Sequence, residues 1–372
     1  MPGKKRKSEG DAAASKRPAK QPRRTLDSFF SPQVLAPASS AQDDDRRMVS
    51  LNFEQTAILR QVVNEGKNVF FTGSAGTGKS LLLRAIITAL KKKHGKTNDS
   101  VSVTASTGMA ASNIGGMTLH AWGAISPTPT NFELQVSCIR KCRPALQRWQ
   151  KTKVLIIDEV SMVDGPLFTR ICKLAETLRK SDAPFGGIQL VITGDFFQLP
   201  PVSKNGAAVF AFESDEWRRC IHHTLSLSQV FRQKDDEFAT LLNELRLGNI
   251  TPAASATFRS LSRPLPPDPA GILPTELFPM RNEVDRANSL RQSYVALSRA
   301  ASMSGLQVLR FDANKVKAHP KVVEWSKTLE TRCERTQLEA KPKPNAEASS
   351  SSLPAEKEEE ETRTLPSSLE ES

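Results

Sequence analysis

A chain of 372 residues, 38% hydrophobic and 25% charged, has material for two domains of ordinary size. It has no apolar run approaching the length that spans a bilayer, so a soluble protein is expected, and its formal charge of +12 points to an acidic partner. Five scattered cysteines, Cys138, Cys142, Cys172, Cys220 and Cys333, exclude a paired disulfide framework and fit a reducing compartment.

Residues 1–24 hold nine Lys or Arg against two acids and carry more than half of the net charge. Residues 1–47 therefore read as a disordered basic arm. Its clusters, Lys4 to Lys7 and then Lys16, Arg17, Lys20, Arg23 and Arg24, have the form of a nuclear import signal, for an import receptor or for nucleic acid. The nucleus is the expected location, since the arm lacks the apolar face of a mitochondrial presequence. The segment from Thr25 to Phe30 would present Leu26, Phe29 and Phe30 on one side of a helical turn. It resembles the peptide by which replication proteins dock on the sliding clamp, with Arg23 where that pattern opens on Gln.

The apolar run Val69, Phe70 and Phe71 predicts a buried strand, and Leu81 to Leu90 repeats apolar residues at helical spacing. Between them lies GSAGTGKS, comprising Gly73, Ser74, Ala75, Gly76, Thr77, Gly78, Lys79 and Ser80. Glycines let backbone N–H groups curl round phosphates, Lys79 adds a point charge, and the Ser80 hydroxyl suits a magnesium ion. This is a P-loop for a nucleoside triphosphate, opening a helix whose positive end faces the phosphates. Further buried strands are expected at Val101–Ala105, Val154–Ile157 and Gln189–Thr193. Strands alternating with helices imply an α/β fold, a parallel sheet with helices on both faces and ligands at the strands' carboxyl ends. Asp158 and Glu159 stand at one such end, Asp158 suited to magnesium and Glu159 to activating a water. Gln198, in Gly194 to Pro201, would place an amide near the γ-phosphate. The neighbouring pair His222 and His223 and the pair Cys138 and Cys142 lack the companions a zinc site needs, and none is expected.

The ordered motifs carry a resemblance. They are LNFEQ at Leu51 to Gln55, GSAGTGKS, TASTGMAA at Thr104 to Ala111, GGMTLHAWGAI at Gly115 to Ile125, and LIIDEVSMVD at Leu155 to Asp164. PFGGIQLVITGDFFQLPPV at Pro184 to Val202, LSQVFRQ at Leu227 to Gln233 and YVALSRA at Tyr294 to Ala300 follow. The chain resembles the petite integration frequency (Pif) family of superfamily one DNA helicases, relatives of RecD. The resemblance implies two RecA-like domains, ATP with Mg2+, 5′ to 3′ movement on single-stranded and forked DNA, and roles in DNA repair, recombination and telomere maintenance. Residues 48–232 would form the first RecA-like ATPase domain. Gln55 would read adenine, Lys79, Glu159 and Gln198 would act in catalysis with Arg232 and Arg299 facing the γ-phosphate, and Ser80 and Asp158 would hold the metal. Thr104, Ser106, Thr107, Thr118 and His120 would meet DNA, as would Gln292, Tyr294 and Ser298. Trp122 reads equally as a stacking surface or a core aromatic.

Residues 233–329 depart from that family. One helix from Asp235 to Leu247, a Pro-rich link, a strand at Glu276–Phe278, a helical piece at Val284–Leu290 and a strand at Leu306–Leu309 are expected, and two strands cannot build a covered sheet. The family's inserted barrel and its His-Lys-Ser-Gln-Gly motif are missing between RNEVDRAN and YVALSRA, while both flanks keep family-like sequence. A truncated second RecA-like domain with an internal deletion is the reading, and Arg299 is expected to fall short of the nucleotide. A non-motor protein that binds ATP, DNA or the clamp is the alternative to a helicase. Residues 330–372, rich in Lys, Pro, Ser and Glu, read as a disordered tail.

Overall fold

The computed structural model describes residues 50–95, 99–127, 131–201, 208–265, 294–309 and 311–329. The basic arm with its clamp-like peptide, Gln292, Cys333, the segments Glu276–Phe278 and Val284–Leu290, and the tail from 330 lie outside the described residues.

In chain order the first part runs α1 (Phe53–Val63), β1 (Val69–Gly73), α2 (Lys79–His94), β2 (Val101–Ala105), α3 (Gly108–Asn113), β3 (Met117–Thr118) and α4 (Leu119–Gly123). It continues through α5 (Phe132–Lys141), α6 (Arg143–Lys151), β4 (Val154–Asp158), α7 (Gly165–Arg179) and β5 (Gln189–Thr193) to α8 (Asp215–Cys220) and β6 (His223–Leu227). The six strands form one sheet in the order β3-β2-β4-β5-β1-β6, and every pairing is parallel. The carboxyl ends of the strands therefore open onto one rim. This is the α/β architecture expected, with β3 and β6 added. Neither of those two shows a long apolar run: β3 has two residues, and β6 reads His-Thr-Leu-Ser-Leu.

Alternation along the strands splits the core. Phe70, Leu155, Ile157, Leu190 and Ile192 face α7 and the aromatic residues of the loops, while Val69, Phe71, Val154, Ile156 and Val191 face α1 and α2. Both faces are covered, so the central strands are apolar throughout rather than alternating with polar residues.

Beyond β6 come α9 (Asp236–Leu247) and α10 (Pro252–Ser260), and no strand follows Leu227 among the described residues. The expected helix from Asp235 forms with Asp235 as its N-cap, accepting hydrogen bonds from the N–H groups of Glu237 and Phe238. The Pro-rich link instead contains α10, whose cap is Thr251 and whose first residue is Pro252. Pro costs nothing there because the first-turn N–H has no helical partner. The strand expected at Leu306–Leu309 is also corrected: these residues form no strand, and Val308 donates a single backbone bond to Leu261. Phe238, Leu241, Leu242, Leu245, Phe258, Tyr294 and Val316 make a third core, against which Ala75 of the phosphate loop packs. Residues 320–329 then return as a helix to the first face of the sheet. There Trp325 stacks on Phe212 at 4.4 Å and meets Phe196 edge-on at 5.1 Å. Elements on both sides of residue 232 thus share the sheet's core.

Candidate nucleotide site

The phosphate loop leaves β1 and enters α2 through Gly76 and Gly78, both with left-handed backbone (φ 89° and 80°). A Cβ on Gly78 would lie 2.6 Å from Gln55 Nε2, and one on Gly76 would lie 2.9 Å from the Arg232 and Gln233 side chains. Conformation favours glycine at both positions, and at Gly76 the Arg232 Cβ also leaves no space for a side chain. No side chain caps the start of α2 and no acid lies in its first turn, whereas Lys91, Lys92, Lys93 and His94 crowd its last turn. Its uncapped first N–H groups and positive dipole end suit an anion. Ser80 is exposed there.

Lys79 donates to the carbonyl oxygens of Gly73 (2.7 Å) and Ser74 (2.9 Å). Burial lowers its pKa, against the charges of Asp195, Glu159 and Asp158. Asp158 ends β4 and is pushed up to about 7, by burial first and by the adjacent Glu159 second. Burial also raises Glu159, with Lys79 and Arg299 opposing it. Glu159 itself has left-handed backbone (φ 53°), unusual for a non-glycine residue, and its N–H donates to Asp158 Oδ1 at 2.9 Å. A raised carboxyl at the rim matches what a general base near neutral pH needs. Uncapped helix N–H groups, two glycines in left-handed backbone, a lysine, the Ser80 hydroxyl and the Asp158 carboxylate are groups that fit a nucleoside triphosphate and its magnesium.

The third group on the rim follows β5. Asp195 is fully buried, and Arg246 of α9 grips it with two bonds, Nε to Oδ2 at 2.9 Å and Nη2 to Oδ1 at 2.8 Å. Gln198 Nε2 donates to Asp195 Oδ2 at 3.3 Å. Burial alone would raise the Asp195 carboxyl, yet the charge and hydrogen bonds of Arg246, then Lys79, hold it below the usual range.

From the far side, Arg232 donates to the Ser298 carbonyl at 2.9 Å, and burial followed by the nearby Arg299 lowers its pKa. Arg299 is exposed and its charge acts on both Arg232 and Glu159. Tyr294 and Leu297 in the third core hold the turn that carries Arg299 against Ala75 of the phosphate loop. The Tyr294 hydroxyl accepts the Ala75 N–H at 2.9 Å, and burial, then Asp195, pushes its pKa to about 12, so it stays protonated.

Several other expected contacts change. Gln55 is 1% exposed, with Oε1 accepting the Asn52 N–H and Nε2 donating to the Thr77 carbonyl, so that both ends of its amide are engaged within the chain. Thr104 is buried within β2 and donates to the Ile156 carbonyl, because a strand covered on both faces leaves no side chain for DNA. Tyr294 and Ser298 are buried against the loop and Arg232, and Trp122 is a core residue 4.4 Å from Trp149. Thr107 and Thr118 are partly exposed N-caps at the ends of neighbouring β2 and β3, and His120 is half-buried beside them. Ser106 is partly covered, its hydroxyl buried. Met109 and Met117, both exposed, adjoin these threonines and went unread, as did Arg246. Two exposed methionines inside motifs were the available signal; nothing local marked Arg246. Among the described residues Cys172, Glu176 and Glu216 could jointly approach a metal, but Arg219 already bridges the two carboxylates.

The PIF1-like helicase family matches residues 50–256, more than half of the chain. ATP-dependent DNA helicase PIF1 of Emericella nidulans is 52% identical over 241 residues, 64% of this chain and 32% of that protein. The human protein of the same name is 38% identical over 291 residues, 77% and 42% of the two chains. The crystal structure of Pif1 helicase from Candida albicans superposes with a TM-score of 0.70 at 32% identity, covering 77% of this chain and 100% of that one. The chain spans about a third of its fungal relatives' length and under half of the human protein's. The chain belongs to the PIF1-like helicase family.

Proposed function

We propose that this chain is an ATP-dependent DNA helicase component that hydrolyses ATP when engaged with single-stranded or forked DNA and moves 5′ to 3′. The observation supporting this best is the convergence on one rim of the loop Gly73 to Ser80, Asp158 with Glu159, Gln198, and the arginines Arg232 and Arg299. The loop N–H groups and Lys79 would bind the phosphates, and Ser80 with Asp158 would hold magnesium, which neutralises phosphate charge. Glu159 takes a proton from the attacking water, Gln198 meets the γ-phosphate, and Arg232 and Arg299 offset charge that builds up on it. Lys79 must exchange its bonds to Gly73 and Ser74 for the phosphates, and Gln55 must release the Thr77 carbonyl to reach a base.

Thr107, Thr118 and His120 are the DNA contacts this reading retains, at the ends of β2 and β3. Names of its relatives support the helicase reading, the basic arm supports a nuclear location with Leu26, Phe29 and Phe30 as a clamp peptide, and roles in repair, recombination and telomere maintenance follow from the family resemblance alone.

ATP hydrolysis by the full chain, with and without single-stranded DNA, tests this. We expect slow turnover that DNA stimulates and Lys79→Ala abolishes. A wild-type chain that binds no nucleotide, or that binds ATP and does not hydrolyse it with single-stranded DNA present, would refute it.

A further inference from the structure

We propose that Arg246 is a positioning residue for Gln198, acting through Asp195 and tying the phosphate-sensing loop to α9. The inference rests on the reading of the rim as a triphosphate site.

Every acceptor direction of the Asp195 carboxylate is used. Oδ1 takes Arg246 Nη2 and the Phe197 N–H (3.1 Å), and Oδ2 takes Arg246 Nε and Gln198 Nε2. An amide nitrogen has two hydrogens; fixing one on Asp195 sets the direction of the other, which a phosphate oxygen can take. Arg246 also lies over the Phe197 ring, 4.4 Å from its centroid, so the guanidinium clamps two successive features of the same loop. The Gln198 N–H closes the turn on the Asp195 carbonyl at 2.9 Å.

A buried ion pair is a poor device for stability alone, because desolvation cancels much of its attraction and apolar residues often replace it without loss. Its value lies in direction: a two-point grip fixes the carboxylate in a way a single cation cannot. Arg246 comes from the last turn of α9, whose other face buries Phe238, Leu241, Leu242 and Leu245 with Tyr294 in the third core. One guanidinium thus joins the sheet's rim to the helical cluster that also carries Arg299. Movement of Gln198 when the γ-phosphate leaves would pull on α9.

The test uses the full chain and calorimetric affinities for a non-hydrolysable ATP analogue and for ADP, with thermal melting alongside. We expect Arg246→Gln to cut the preference for the ATP analogue over ADP about tenfold, with ADP affinity little changed. Arg246→Lys keeps the charge without the fork; we expect it to lose part of that preference even if Arg246→Gln fails to fold. Equal weakening of both nucleotides, or an unchanged preference in a folded variant, would mean a merely structural pair and overturn the proposal. Wild-type protein that binds neither nucleotide overturns the site reading itself, a result distinct from either.

Discussion

The parallel sheet and the helical cluster that follows it bury their apolar residues in different ways. Strands β1, β4 and β5 are covered on both faces, mostly by helices that their own connections supply, with residues 320–329 closing part of the first face. The cluster has α9, α10 and the turn carrying Tyr294, no sheet of its own among the described residues, and a core that leans on Ala75 of the phosphate loop. The phosphate loop, the acidic pair and Gln198 sit on the sheet; Arg299 and the Arg246 that grips Asp195 sit on the cluster.

Breaking the sheet's chemistry should give the largest effect. Glu159→Gln removes the proposed base and should slow ATP turnover by about 10²–10⁴-fold while leaving nucleotide affinity intact, as a turnover assay beside a binding titration will report. A second pair of variants asks whether the regions unfold as one. Phe70→Ala and Phe258→Ala each empty a fully buried site and should cost about 3–5 kcal/mol. We expect the first to lower protection from hydrogen exchange throughout the sheet, and the second to lower it in α9 and α10 alone; matching losses would make the two regions a single cooperative unit. Tyr294→Phe deletes the hydroxyl that occupies the Ala75 N–H. A bond of about 1 kcal/mol is no longer exchanged when phosphate binds, so nucleotide should bind up to about fivefold tighter, measured by titration.

A separate effect is on pH. Asp158 titrates at about 7 in the folded chain, above the roughly 3.9 of an unfolded Asp. The folded state holds that proton more tightly, so this group's contribution to stability is complete below about pH 4 and is lost as pH rises through 7. Melting of nucleotide-free protein between pH 5 and 8 should show that slope, and Asp158→Asn should flatten it.

Much of the sheet was legible because its signals are local. GSAGTGKS, the apolar run ending in Asp158 and Glu159, and the loop with Gln198 each place their chemistry within a few residues of a strand end. The cluster was less legible. Arg246 meets Asp195 across 51 positions, and Tyr294 meets Ala75 across 219, separations that no periodicity encodes. Thr104 shows the opposite error: a polar residue within a motif reads as a ligand contact, yet the sheet's second covered face turns its hydroxyl onto the Ile156 carbonyl. The cap at Thr251 with Pro252 is a local sign of α10, masked in the sequence by the prolines that surround it.

The backbone at Glu159 carries a further consequence. A left-handed conformation in a residue with a Cβ costs about 1 kcal/mol or more that a glycine would not incur. Drift toward a sturdier fold would favour glycine at that position, and the chain would become more durable as it became inert. On the proposed role of Glu159, the substitution that would relieve this backbone would also remove the base, so stability and turnover trade against each other at this residue.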